Sequence, residues 1–221
     1  MPREQFHRGL QDVQDGVLEM GSMVDRQLER AMQALIERDI LLAEAVVRDD
    51  DEVNRARFHL DNACLSLLAQ QAPLASDLRM IVAVLAMSSE LERMGDHAEG
   101  IARIVLLMRD EPLVKPLVDI PAMAKAARQM LKDALDAFVQ RSVEGAYRVG
   151  PADNEVDTRY DRVYRDLIGI MTQDNSTIEA CTHLLWIAHN LERVADRATN
   201  IAERVVFTVS GSMPDMGVSK Y

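Results

Sequence analysis

Apolar residues recur at helical spacing along almost the whole chain, and three kinds of punctuation divide the pattern into six long segments. A first helix is predicted from about residue 4 to Arg38, with Asp39 placed to cap the next. The second runs to about Gln71, where Ala72-Pro73-Leu74 breaks the periodicity; Ser76 or Asp77 then caps a third helix that reaches Arg109. Three prolines, Pro112, Pro116 and Pro121, mark the stretch 110–121 as a linker. Beyond it the pattern predicts a fourth helix over 119–141 and a fifth from Ser142, broken or kinked at Gly150-Pro151. A turn at 172–175 leads to a sixth from Ser176 to about Ser210, and residues 211–221 read as a frayed tail. Each helix is a rod of roughly 40–50 Å at 1.5 Å per residue.

The chain is written twice. At an offset of 100, Leu91-Glu92-Arg93-Met94-Gly95-Asp96-His97-Ala98 meets Leu191-Glu192-Arg193-Val194-Ala195-Asp196-Arg197-Ala198. At an offset of 103, Asp50-Asp51-Glu52-Val53-Asn54 meets Asp153-Asn154-Glu155-Val156-Asp157, and Leu28, Ala31, Ala34 and Arg38 meet Leu131, Ala134, Ala137 and Arg141. The change of three between the registers is a difference in loop length. A repeat near 100 residues is too long for a solenoid unit. It fits two copies of a small helical domain, an all-α fold of two tandem three-helix bundles with 1–110 as the first, 111–121 as linker, 122–210 as the second and 211–221 as tail.

Composition agrees: aromatics are 4% against 13 methionines, which favours helices over sheet. A net charge of −11 repels phosphate backbones and argues against nucleic-acid binding. The longest apolar run, Met80 to Met87, falls far short of the ~20 residues that span a bilayer. With no leader pattern at Met1-Pro2-Arg3-Glu4-Gln5, a soluble protein of a reducing compartment is expected. Cys64 and Cys181 cannot build a disulfide framework and read as small buried hydrophobes. Trp186 and the 80–87 run read as core or subunit interface, the run buried on every side.

The chemistry that repeats is acidic. Glu92 and Asp96 stand four apart on one helix face, as do Glu192 and Asp196, a spacing that costs a few tenths of a kcal/mol between like charges. Leu91, Met94, Ala98, Ile101 and Val105 make the core stripe, so periodicity alone puts the carboxylates on a solvated face with Arg93 and Arg193 nearby. Yet that face changes from apolar to acidic along the rod in both copies. The preceding helices add Asp153, Asp157 and Asp161 in one copy, and Asp50, Asn54 and Asp61 in the other. If the rows meet, each bundle gathers an all-oxygen cluster suited to hard or borderline cations.

Histidine argues against an oxidase-type di-iron bundle, which needs two Glu-x-x-His motifs; Glu4-Gln5-Phe6-His7 is the single instance. His97 is replaced by Arg197 in the second copy, and His59, His183 and His189 are scattered. Neither a nucleophile elbow nor a P-loop or dinucleotide fingerprint is present, and no glycine-rich cradle or arginine cluster suggests a direct phosphate site.

The paired Leu-Glu-Arg-x-x-Asp segments, with Ala75-Ser76-Asp77-Leu78-Arg79 before the first and the Asp50/Asn54 and Asp153/Asp157 segments upstream, resemble the motifs of the PhoU family. The resemblance covers about Phe6 to Phe207. It implies two three-helix bundles and a cytoplasmic, non-enzymatic negative regulator of the phosphate-starvation response. Such proteins link the ATPase subunit of the phosphate ABC transporter to a membrane sensor histidine kinase, and often form homodimers. The resemblance also implies multinuclear metal, iron or another divalent ion (Mg, Mn or Zn), at Glu92, Asp96, Asp50 and Asn54 in one bundle and Glu192, Asp196, Asp153 and Asp157 in the other. Ala195 in place of the motif glycine argues against the close backbone approach of the motif in the second copy, and neutral Asn54 opposite Asp157 predicts unequal metal affinity between the bundles. The competing reading is a carboxylate-bridged metalloenzyme or metal-storage bundle.

Overall fold

The computed structural model describes residues 2–70, 73–108 and 113–216, the side chains of Pro2 and Gln70 excepted. The expected helix ends at Gln71 and Arg109, the start of the linker and the tail beyond Met216 lie outside them. The described residues form α1 (Pro2–Glu37), α2 (Ile40–Gln70), α3 (Ala75–Leu107), α4 (Asp119–Gln140), α5 (Val143–Gln173) and α6 (Ile178–Ser210), with one 3-10 turn, Asn175–Thr177, before α6. No strand occurs among them.

The first hairpin shows how closely the copies repeat. Arg38 closes α1 in the left-handed region at φ 57°, and Arg141 closes α4 at φ 51°. The Asp39 N–H reaches back to the Ala34 carbonyl at 3.0 Å, as the Ser142 N–H does to Ala137 at 2.9 Å. This is the Schellman closure, which satisfies carbonyls that the helix end leaves open. The same two residues then cap the following helix: Asp39 accepts from the Leu42 N–H, and Ser142 from Gly145, both at 2.9 Å. The second connection holds the length difference. Four residues separate Gln70 from Ala75, but Asp174 alone separates Gln173 from Asn175, so the register shifts by three.

Some expected boundaries move. α3 starts at Ala75 behind Leu74, and neither Ser76 nor Asp77 caps it by a side-chain bond. α5 runs unbroken through Pro151, which is exposed on the outer surface where its missing N–H leaves a carbonyl to water. Pro121 stands in the first turn of α4, a position that needs no proline N–H. Residues 211–216, expected to fray, fold back on the second bundle. The Met216 N–H donates to Glu203 at 2.9 Å, and a Cβ on Gly150 would meet the Met216 carbonyl at 3.1 Å.

Helices α1, α2 and α3 pack as one bundle and α4, α5 and α6 as the other. The bundles join along α3 and α6, with α1 against α4; among the described residues α2 and α5 do not touch. The seam follows the duplication. Arg128 holds Asp25, its own counterpart at offset 103, at 2.6 and 3.0 Å, so this pair sits on the pseudo-two-fold axis. Across α3 and α6, Glu90 accepts from Arg197 at 3.3 Å and Asn200 at 3.1 Å, and the equivalent pair is Asn190 with His97 at 2.9 Å.

The core stripe is where the wheel put it, with Leu91, Met94, Ala98 and Ile101 fully buried, as are Cys64 and Cys181. Trp186 is 56% exposed, which removes the core half of its expected role and leaves the interface half, and Val82, 42% exposed, breaks the all-round burial of the 80–87 run. Both lie toward the start of their helices, before α3 and α6 become central to the seam.

Candidate carboxylate clusters

The two rows lie beside one another in each bundle, and part of each is buried. Glu192 is 1% exposed and Asp50 is 7% exposed, although a helical wheel turns the Glu192 position outward. Packing of α5 against α6 and the side chain of Arg193 cover it.

In the first bundle Asp50, on α2, is clamped by two amides. The Gln27 Nε2 donates to Oδ1 and the Asn54 Nδ2 to Oδ2, each at 2.9 Å. Gly95 permits this: a Cβ there would come within 3.2 Å of the Gln27 Oε1 and 3.3 Å of the Asp50 Oδ1. Glu92 is held by Arg57 Nη1 at 2.7 Å, and Arg57 also lies 3.7 Å from Asp61. Asp61 accepts from Ser88 at 2.9 Å and faces this arginine instead of joining the Asp50 row. Asp96 is exposed, yet burial of its inner side and the charges of Glu92, Asp50 and Glu99 push its carboxyl up to about 6, against Arg57. Burial raises Asp50 as well, the Gln27 bond offsetting part of it.

The second bundle solves the same problem with one side chain. Arg193 forks onto Glu192, Nε to Oε2 at 2.7 Å and Nη2 to Oε1 at 2.8 Å, and its Nη1 lies 3.1 Å from Asp196. Burial pushes Glu192 above the usual carboxylate range, Arg193 pulling the other way. Burial and then Glu192 push Asp196 up to about 6, with Asp157 adding a smaller push. Asp157 therefore faces both; Asp153 stands half-buried one turn earlier on α5. Asp161 lies a turn beyond, its carbonyl accepting from Arg165 at 3.1 Å. At the position of Gln27 this bundle has Met130, buried, so Ala195 fits where Gly95 is needed.

Gln27, Arg57 and Glu99 are the cluster members that motif reading passes over. A signal exists for the first: the pair Gln27 and Gly95 changes together to Met130 and Ala195 between the copies. It becomes readable once α1 is known to cross α3 at that point. Among the described residues no three His, Cys, Asp or Glu side chains stand close enough together to hold a metal ion as placed. Among them, too, no helix is long and apolar enough to cross a membrane.

The comparisons agree with this architecture. The PhoU domain family model matches residues 17–105 and again 120–205. A phosphate-specific transport system accessory protein PhoU homolog of Clostridium acetobutylicum is 34% identical over 217 residues, 98% of this chain and 99% of that protein. The phosphate-specific transport system accessory protein PhoU of Escherichia coli is 35% identical over 207 residues, covering 94% of this chain and 86% of its own. The crystal structure of PhoU from Pseudomonas aeruginosa superposes with a TM-score of 0.90 at 34% identity, covering 94% of this chain and all of that one. The phosphate transport system regulatory protein PhoU from Streptococcus pneumoniae follows at 0.89 and 32%, covering 95% and 99%. Doubled bundles, paired carboxylate motifs and near full-length likeness together place this chain in the PhoU family.

Proposed function

We propose that this protein is a cytoplasmic, non-enzymatic negative regulator of phosphate uptake and of the phosphate-starvation response. It would act as an adaptor between the ATPase subunit of a phosphate ABC transporter and a sensor histidine kinase. The observation that carries the reading is the near full-length likeness, through both bundles, to accessory proteins of phosphate-specific transport. A surface suited to protein contact supports it. On α5 and α6, Trp186, Tyr164 and Ile168 are exposed, and His189 stacks edge-on to Trp186 at 5.7 Å. Large aromatic side chains left in water mark contact sites, where Trp and Tyr carry most of the binding energy. The equivalent first-bundle positions hold Ala86, Asp61, Leu65 and Ser89, so this face belongs to the second copy alone.

The metal reading extends the proposal. The donor set is all oxygen, and at Asp96 and Asp196 neighbouring carboxylates add to the burial that raises each carboxyl; this chemistry fits a hard divalent cation or iron. Glu92, Asp96, Asp50 and Asn54 would hold it in the first bundle, and Glu192, Asp196, Asp153 and Asp157 in the second. The cation would supply the positive charge that Arg57 and Arg193 supply now. The first cluster is the more accessible, because Arg57 engages one oxygen of Glu92 and leaves Asp96 exposed.

Deleting the gene and following a phosphate-starvation reporter in phosphate-rich medium tests the regulatory role. Derepression that the wild-type gene reverses is the expected result. A reporter that stays silent in the deletion strain overturns the adaptor reading.

A further inference from the structure

A cleft of about 620 Å³ opens at the seam where α1 crosses α4, and residues of these two helices line it. The helices run antiparallel there: Arg128 meets Asp25, while the Leu135 side chain packs against Gly21. The cleft therefore has two unlike ends. Arg26, Lys125 and Arg128 stand at one, with Lys132 a helical turn beyond Arg128, and Leu18 and Leu135 floor the other beside Asp136. Arg128 is already engaged by Asp25 and Glu29. Arg26, Lys125 and Lys132 are exposed and, among the described residues, form no ion pair, although the chain has 36 acidic side chains against 25 basic ones. Nor does the repeat require them: at offset 103, Lys125, Arg128 and Lys132 stand where the first copy has Ser22, Asp25 and Glu29. They come from helices of different bundles, so the chain itself shows no basic cluster.

We propose that this cleft binds an organic phosphate of the nucleoside di- or triphosphate kind. Its phosphates lie among Arg26, Lys125 and Lys132, and its ring portion lies on the leucine floor. Ammonium and guanidinium groups without a carboxylate partner take phosphate oxygens by charge-assisted hydrogen bonds. The volume falls within the range of small-molecule sites and is several-fold larger than one phosphate ion occupies. Inorganic phosphate would therefore leave the apolar end empty. Asp136 selects at that end: it accepts from the hydroxyl or amino groups of a sugar or base and gives an acyl chain nothing to bond. The site uses no residue of the carboxylate clusters or of the Trp186 face, and it does not depend on the regulatory reading.

Isothermal titration calorimetry of the full chain with ATP, at low salt, tests it, with circular dichroism confirming that each variant folds. EDTA in the buffer keeps divalent cations from bridging ATP to the carboxylates. Wild type binds ATP at a single site, and binds inorganic phosphate at least ~10-fold more weakly. Lys125→Glu/Lys132→Glu weakens ATP binding by at least ~10-fold, since it sets carboxylates against the phosphates. Arg48→Glu/Arg148→Glu makes the same change in net charge at exposed positions outside the cleft and leaves binding unchanged. No ATP binding by wild type, equal affinity for inorganic phosphate, or equal weakening by the two double variants overturns the proposal. Adhesion to phosphatidylglycerol vesicles through the same lysines, without affinity for free ATP, would assign the cleft to a lipid headgroup and overturn it as well.

Discussion

In the first bundle the acidic row is satisfied by side chains from two helices: Gln27 on α1 and Asn54 on α2 clamp Asp50, and Arg57 on α2 reaches Glu92 of the α3 motif. In the second, one residue inside the motif, Arg193, serves both Glu192 and Asp196. Two copies of one motif thus keep their carboxylates by different means. Hydrogen bonds from neutral amides leave the negative charge in place, whereas a forked guanidinium cancels much of it. On the metal reading proposed above, the first cluster would be the stronger attractor for a cation, while the second is closed by its own ion pair.

That difference breaks most visibly at the arginines. Arg193→Ala strands Glu192, 1% exposed, without its guanidinium and should cost about 3–5 kcal/mol by chemical denaturation. Arg57→Ala leaves Glu92 partly in water and should cost ~1 kcal/mol or less. Equal losses would mean that the two ion pairs do the same work.

Next in size are the motif's small residues. Gly95→Ala brings a Cβ to 3.2–3.3 Å from the Gln27 and Asp50 oxygens, and this crowding should offset the ~1 kcal/mol that alanine gains in helix propensity, so the variant is no more stable than wild type. Ala195→Gly should cost ~1 kcal/mol, the helix-propensity difference. Thermal melts of the two variants distinguish a steric requirement at Gly95 from a preference.

These positions show what could be read from the chain alone. The repeat, the hairpin caps at Asp39 and Ser142 and the buried stripe of Leu91, Met94 and Ala98 are local in sequence, and periodicity finds them. Burial of Glu192 is not local, because it depends on the helices packed against α6. Arg57 escapes motif reading for the same reason: nothing on α2 says that it points at Glu92. For Trp186 periodicity leaves core and interface open, and only the packing shows that the seam does not extend to cover it.

Acid titration sharpens the comparison further. Asp196 has a folded-state value raised to about 6 from 3.8, so the folded protein holds its proton more tightly than the unfolded chain. Its ionisation lowers stability progressively as pH rises from 3.8 through about 6, and the loss is constant above that. Asp196→Asn should therefore stabilise the protein at pH 8 by roughly 1–2 kcal/mol, less than the full shift because solvent screens a partly exposed carboxylate. The gain should vanish near pH 4. A gain independent of pH would place its origin elsewhere than in this charge.

The claim that the two clusters are used unequally is tested most directly by titrating Mn²⁺ into chelator-stripped protein and measuring the bound metal. Wild type should take up the ion. Glu92→Gln/Asp96→Asn should remove the larger share of uptake, and Glu192→Gln/Asp196→Asn the smaller. Equal loss from both variants, a larger loss from the second, or no uptake by wild type would contradict the account.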